Sequence, residues 1–198
     1  MTNRERMTTP EPYVVDGRQM PAKSQQRAKK LCWQLNQMDP DVGEARHKIL
    51  MQLFGTVTNT TFVEAGFHCD YGFNIHFHGL ALLNYNVTIL DTSPVHIGAG
   101  AFIASGVVLA CSGHAMLEEQ RADGIMTSAP ITLADNVWLG ANVVVTGGVT
   151  IGAGSIIGAG SVVNHDIPAG VVAVGSPCRV LREVTEADRV ALTPGMSD

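Results

Sequence analysis

The chain is predicted to be all-β: a left-handed parallel β-helix with a small N-terminal α-helical segment and one extruded loop. Three observations predict it. First, aliphatic residues recur at every sixth position, at Ile97, Ile103 and Leu109, then Leu133, Leu139, Val145, Ile151, Ile157 and Val163. Second, the gap between Leu109 and Leu133 is four sixes long, so the rhythm continues in phase across an out-of-pattern loop. Third, 21 glycines with only 6% aromatic and 16% charged residues make the chain richer in turns and aliphatics than an average globular domain.

A sixfold period fits a strand of two or three residues followed by a turn. Three such units make a coil of about 18 residues whose aliphatics point into a triangular prism, and stacked coils share backbone hydrogen bonds. Tight corners in place of packed crossover helices permit the left-handed winding. A β-sandwich would need period-two alternation instead.

Taken in chain order, residues 1–57 form the N-terminal helical segment. From Lys23 to Phe54 the apolar residues follow helical spacing, with Ala28, Leu31, Cys32 and Leu35 on one stripe and Ala45, Ile49, Leu50 and Leu53 on a second. Asp39-Pro40-Asp41 separates the two helices, and Asp39 or Asp41 is expected to cap the second, with Glu44 completing a capping box from Asp41. Residues 58–184 form the β-helix, in which Phe77, Leu83 and Ile89 already keep the period. Ile89 and Ile97 are eight apart, so two extra residues form a bulge or short loop around Asp91-Thr92-Ser93-Pro94. The loop spans 111–130, and residues 185–198 form a C-terminal tail.

One hydrophobic core is expected from 198 residues. A net charge of -5 argues against general binding to nucleic acid or to anionic membranes, so an anionic ligand needs a local cationic site. No apolar run reaches the roughly 18 residues of a membrane span, and MTNRERMTTPEPY lacks the apolar run of a secretory signal, which predicts a cytoplasmic protein. Cys32, Cys69, Cys111 and Cys178 are scattered without a CxxC pair, so reduced, buried thiols are expected and neither a zinc site nor a disulfide framework is signalled.

Several motifs follow in order: Asp70-Tyr71-Gly72-Phe73-Asn74-Ile75, Asn84-Tyr85-Asn86, Ser112-Gly113-His114, Asn136-Val137-Trp138-Leu139-Gly140 and Gly175-Ser176-Pro177-Cys178-Arg179. Together they resemble the maltose and galactoside O-acetyltransferases and the nodulation acetyltransferases of the hexapeptide-repeat group, from the N-terminal helices to about Val184. The resemblance implies a homotrimer with active sites between subunits and acetyl-CoA in the groove between neighbouring prisms. It implies direct acetyl transfer, without a metal or an acyl-enzyme, to a hydroxyl of a small-molecule sugar or glycoside.

The resemblance makes His114 the general base, and an imidazole with a reference pKa near 6.5 suits proton abstraction at neutral pH. Asn84 would orient the acceptor or the imidazole, although a corner asparagine is also an ordinary turn residue. Asp16 and Asp70 match positions that face the sugar, and Met126 supplies an apolar wall. On the cofactor side the resemblance points to Trp138, Ala141 with its backbone amide at the thioester, Ala159 beside pantetheine, and Arg179 and Arg182 at the phosphates.

Two departures accompany the match. The family's Thr-Lys pair is Asn164-His165 here, which predicts CoA affinity that falls as pH rises. Its sugar-reaching arginine is replaced within Ser24-Gln25-Gln26-Arg27, which leaves the acceptor unnamed. Rival readings make Cys111 an acyl-accepting nucleophile, or treat the prism as a non-catalytic scaffold, or as an acetyltransferase of non-sugar hydroxyls. A zinc site from His78, His96 and His114, spaced by eighteen, conflicts with phase, because His78 follows Phe77 whereas His96 precedes Ile97.

Overall fold

A computed structural model describes residues 2–193. The last part of the expected tail, 194–198, lies outside the described residues. From the strand Thr61–Val63 onward the chain is a parallel β-helix with three faces, made of a four-stranded, a seven-stranded and a five-stranded sheet. Phe77, Leu83, Ile89, Ile97, Ile103, Leu109, Leu133, Leu139, Val145, Ile151, Ile157 and Val163 all point inward and are at most 1% exposed. Each stacks on its equivalent in the next coil, as Leu83 on Ile103, Ile103 on Leu139 and Leu139 on Ile157. The period therefore records burial, and each coil is held by apolar contact and backbone pairing with its two neighbours.

Corners impose the second sequence requirement. Gly106 and Asn142 occupy consecutive turns at φ +73° and +58°, and a Cβ at Gly106 would stand 2.3 Å from Asn142 Oδ1. The asparagine folds over the bare glycine of the coil below, so the left-handed corner tolerates one side chain per pair and not two.

Before the prism come α1 (Asn3–Met7), the strand Tyr13–Asp16, α2 (Ala22–Asn36) and α3 (Gly43–Leu53). Ala28, Leu31, Cys32 and Leu35 bury their stripe of α2, and with Leu50 and Leu53 of α3 they join the main core over the first coils. Two local expectations need correction. The N-cap of α3 is Val42 and no side chain caps it, because Asp39 Oδ1 instead accepts from the Asp41 N–H (3.0 Å) in a turn. Ala45 is exposed, since the turn that starts at Gly43 points it away from the coil that Leu50 and Leu53 cover.

The loop is more ordered than its sequence suggests. Ser112–His114 and Ile125–Ser128 form an antiparallel ribbon linked by α4 (Glu118–Ala122), and Tyr13–Asp16 adds to its other edge. At the opposite end, Arg179–Glu183 folds back antiparallel on Val171–Val174. Among the described residues, no helix is long and apolar enough to cross a membrane.

Candidate active site

The two extra residues before Ile97 make a buried polar platform. Asp91, Thr92 and Ser93 are buried, and Ser128 Oγ of the ribbon lies 2.6 Å from Thr92 Oγ1 and 2.7 Å from Ser93 Oγ. Tyr13 donates its buried hydroxyl to the Thr92 carbonyl (2.6 Å). Corner, ribbon and N-terminal strand are thus fixed to one another by satisfied hydrogen bonds. Asp91 accepts from the Tyr71 N–H (2.8 Å), and burial pushes its carboxyl up to about 7.

This platform holds out a cleft of about 400 Å³ lined by Gly17, Arg18, His114, Arg121, Gly124 and Met126. His114 and Met126 are cross-strand partners in the ribbon. Among the described residues the His114 imidazole makes no hydrogen bond, so both ring nitrogens are available to a group in the cleft. Asp16 borders it through a bidentate pair with Arg18 (2.9 and 3.1 Å), and that guanidinium holds the Asp16 carboxyl below the usual carboxylate range. A side chain at Gly17 would meet Met126 Sδ at 2.6 Å, so Met126 packs directly over the glycine and would have to shift for any larger residue there. Of the residues expected near an acceptor, His114, Asp16 and Met126 come together here. Arg18 and Arg121 were not anticipated; Arg121 supports the loop by donating to the Ala115 and Met116 carbonyls (2.8 and 3.1 Å).

Asp70 does not line this cleft and sits beneath α2. Gln25 Nε2 donates to its Oδ1 (3.2 Å), and burial raises its pKa against that hydrogen bond and the charge of Lys29. Gln25, part of the departure from the family's arginine, is therefore the residue that meets Asp70.

A second group of expected residues lines the prism edge between the seven-stranded and five-stranded faces. Ala65, Tyr85, Ser105 and Ala141 stack there, each carbonyl accepting from an N–H one coil on, ending with Gly160 N–H to Ala141 O (2.8 Å). Asn84 sits one residue before Tyr85, and its Oδ1 accepts from the Tyr85 N–H (2.7 Å). Ala159 continues the column so closely that a Cβ at Gly140 would stand 2.6 Å from its nitrogen. The Ala141 N–H has no partner among the described residues. Trp138, half exposed, lies on the seven-stranded face between Phe102 and Ile156, and not opposite His114 within the chain. No described hydrogen bond or cavity joins Asn84 to His114.

Beyond Ala159, Arg179 Nη1 approaches His165 Nδ1 (3.4 Å), and the same imidazole nitrogen is 3.0 Å from Asn164 Oδ1. Arg182 is turned away: its guanidinium forms a bidentate pair with Asp188 (2.7 and 2.8 Å), which draws that carboxyl down to about 2.

The rival chemistries fare differently. Cys111 is buried, and burial pushes its thiol up to about 12, the opposite of an activated nucleophile. His78 and His96 do not sit apart as their phase suggests: His78 Nε2 is 3.0 Å from His96 Nδ1, and His96 stacks on His76. His78, just past the strand Ile75–Phe77, also stacks its ring on that of His96, with centroids 5.3 Å apart. His114 is not among them, and the described residues contain no group of three or more His, Cys, Asp or Glu able to hold a metal ion.

A parallel β-helix with a capping helical pair and an extruded histidine ribbon defines a hexapeptide-repeat acyltransferase. The maltose acetyltransferase hexapeptide capping motif matches residues 6–58, and the bacterial transferase hexapeptide (six repeats) matches residues 130–165. The chain is 44% identical to the galactoside O-acetyltransferase of Escherichia coli strain K12, over 82% of this chain and 80% of that one. A crystal structure of a maltose O-acetyltransferase from Clostridium difficile 630 superposes with a TM-score of 0.87 at 39% identity, covering 94% of this chain and 99% of the other. A galactoside acetyltransferase in complex with coenzyme A superposes equally well, with a TM-score of 0.87 at 40% identity over 95% and 94%. The chain belongs to the maltose and galactoside O-acetyltransferase family, and it is an acetyltransferase.

Proposed function

We propose that the protein transfers the acetyl group of acetyl-CoA to a hydroxyl of a sugar or glycoside, in sites formed between the subunits of a homotrimer. The observation that carries this reading is the separation of two half-sites in one chain. The cleft holds His114 and Met126 with Asp16 at its border, whereas the edge holds Asn84, Ala141 and Ala159. A second copy set edge to cleft completes the constellation. An outward apolar row supports such packing: Phe62, Phe102 and Trp138 are 52%, 49% and 51% exposed on the seven-stranded face.

The edge suits an extended thioester ligand. Its side chains at Ser105, Ala141 and Ala159 are small, and at its far end Arg179 offers a cationic contact and His165 a hydrogen-bonding ring to phosphates. Arg182 contributes there only if it leaves Asp188.

In the reaction a ring nitrogen of His114 takes the acceptor hydroxyl proton as the oxygen attacks the thioester carbonyl. The oxyanion faces the Ala141 N–H, a donor that needs no reorganisation. Collapse expels the CoA thiolate, and the imidazolium returns its proton to that sulfur. Asn84 orients the acceptor or the imidazole, Asp16 and Met126 border the acceptor, Asp70 with Gln25 flanks it, and Trp138 walls the thioester. The need for acetyl-CoA and four free cysteines favour the cytoplasm.

Release of CoA thiol against a panel of mono- and disaccharides tests the reaction. His114→Ala is expected to lower turnover by about 10²–10⁴-fold while acetyl-CoA still binds. Turnover within a few-fold of wild type would remove His114 as the base.

A further inference from the structure

Cys32 and Cys69 are the one thiol pair in contact among the described residues. Cys32, on α2, is 2% exposed and Cys69, ending the strand His68–Cys69, is 7% exposed, and their sulfurs are 3.6 Å apart. The two sulfurs share a hydrogen bond, which lowers the pKa of Cys32 and, together with burial, raises that of Cys69. A solitary buried thiol such as Cys111 has no such partner to stabilise its thiolate. The pair is also held in place on both sides. Asn36 Oδ1 accepts from the Gly66 and Phe67 N–H groups (3.0 and 3.2 Å), and Gln25 donates to Asp70, the residue after Cys69. Helix α2 is thus pinned to the first turns of the prism at three points, with the thiols in the middle.

We propose that Cys32 and Cys69 form a reversible oxidation site whose disulfide locks α2 onto the β-helix beside Asp70. The oxidant is a peroxide. The Cys32 thiolate attacks one peroxide oxygen, the O–O bond breaks, and Cys32 becomes a sulfenic acid while the departing hydroxide takes up the proton Cys32 had lost and leaves as water. The Cys69 sulfur then attacks the Cys32 sulfur, the S–O bond breaks and a second water leaves, so two thiols have lost two electrons in all. The sulfurs must close by about 1.6 Å to reach bonding distance, a shift within the reach of side-chain rotation. The effect on Asp70 rests on the acceptor reading above, but the cross-link itself does not.

Hydrogen peroxide added to the whole protein, followed by alkylation of free thiols, digestion and mass spectrometry, tests the site. The expected result is one linked peptide pair joining Cys32 to Cys69, two hydrogens lighter than the sum of its parts and split by dithiothreitol. Cys111 and Cys178 are expected to remain alkylatable. Recovery of Cys32 and Cys69 as free thiols, or cross-links through Cys111 or Cys178, would overturn the proposal. In Cys69→Ser, peroxide with dimedone is expected to label Cys32, and a label found on other cysteines alone would contradict the order of attack. The wild-type measurement stands even if that variant fails to fold. If the cross-link forms, KM for the acceptor is expected to change at least threefold while KM for acetyl-CoA holds. An unchanged acceptor KM would overturn the coupling to Asp70 and leave the oxidation site standing.

Discussion

The prism and the ribbon are built by opposite rules. In the prism each coil repeats the one before, so Leu139 is interchangeable in role with Ile103 below it and Ile157 above it. In the ribbon nothing repeats: Ser112–His114 needs Ile125–Ser128, which needs Tyr13–Asp16 about a hundred residues earlier, and all of it rests on Thr92 and Ser93. Apolar stacking carries the first region, and a specific polar network places the second. The proposed chemistry divides the same way, with a candidate ligand edge on the repeat and the candidate base on the exception.

Truncating a repeat position should have the largest effect on stability. Leu139→Ala is expected to cost about 2–5 kcal/mol, because the close-packed coils on either side leave little room to collapse into the cavity. Urea denaturation measures it, and a loss below about 1 kcal/mol would mean that the inward stack is looser than the structure makes it. Ser128→Ala attacks the other region. Losing the shared partner of Thr92 and Ser93 should cost about 1–3 kcal/mol and should lower turnover more than Leu139→Ala does. Equal activity in the two variants would erase the distinction between scaffold and placement.

The comparison also explains what could be read from the chain. Twelve inward residues from Phe77 to Val163 were legible because burial in a repeat depends on nearest neighbours alone. The ribbon was not, since Ser112–His114 and Tyr13–Asp16 carry no signal that they share a sheet. The start of α3 was misread because Asp41 has the right spacing from Glu44 but follows Asp39, whose carboxylate takes up the Asp41 N–H. His78 and His96 were kept apart by a phase rule that holds for side chains within strands and fails for a corner residue. Asp16, Met126 and His114 were named from the resemblance, and their meeting in one cleft depends on strand pairing that the resemblance does not express. Arg18 gave a faint signal, two residues after Asp16, where an aspartate and an arginine can share a turn.

A further effect concerns pH. Burial raises the folded pKa of Asp91 to about 7, far above its unfolded value near 4. Its contribution to stability is therefore complete below about pH 4 and is lost as pH rises through about 7. His76 and His96 work in the opposite sense: burial lowers their pKa values, so their contribution is present above the unfolded histidine range and lost as pH falls. Comparing wild type with Asp91→Asn cancels the histidines. The variant should gain stability relative to wild type between pH 4 and 7, and parallel curves would show that the platform does not hold Asp91 as a neutral acid.

The central claim is that cleft and edge from different copies make one site, and subunit mixing tests it most directly. Purified His114→Ala and Asn84→Ala proteins, each expected to be nearly inactive, are unfolded together, refolded and assayed for CoA release. An interface between unlike copies then unites an intact cleft with an intact edge. About a quarter of wild-type activity is predicted from random assembly at a heterologous interface. Mixed oligomers that form, as shown by differential tags, yet stay as inactive as the parents would contradict the account.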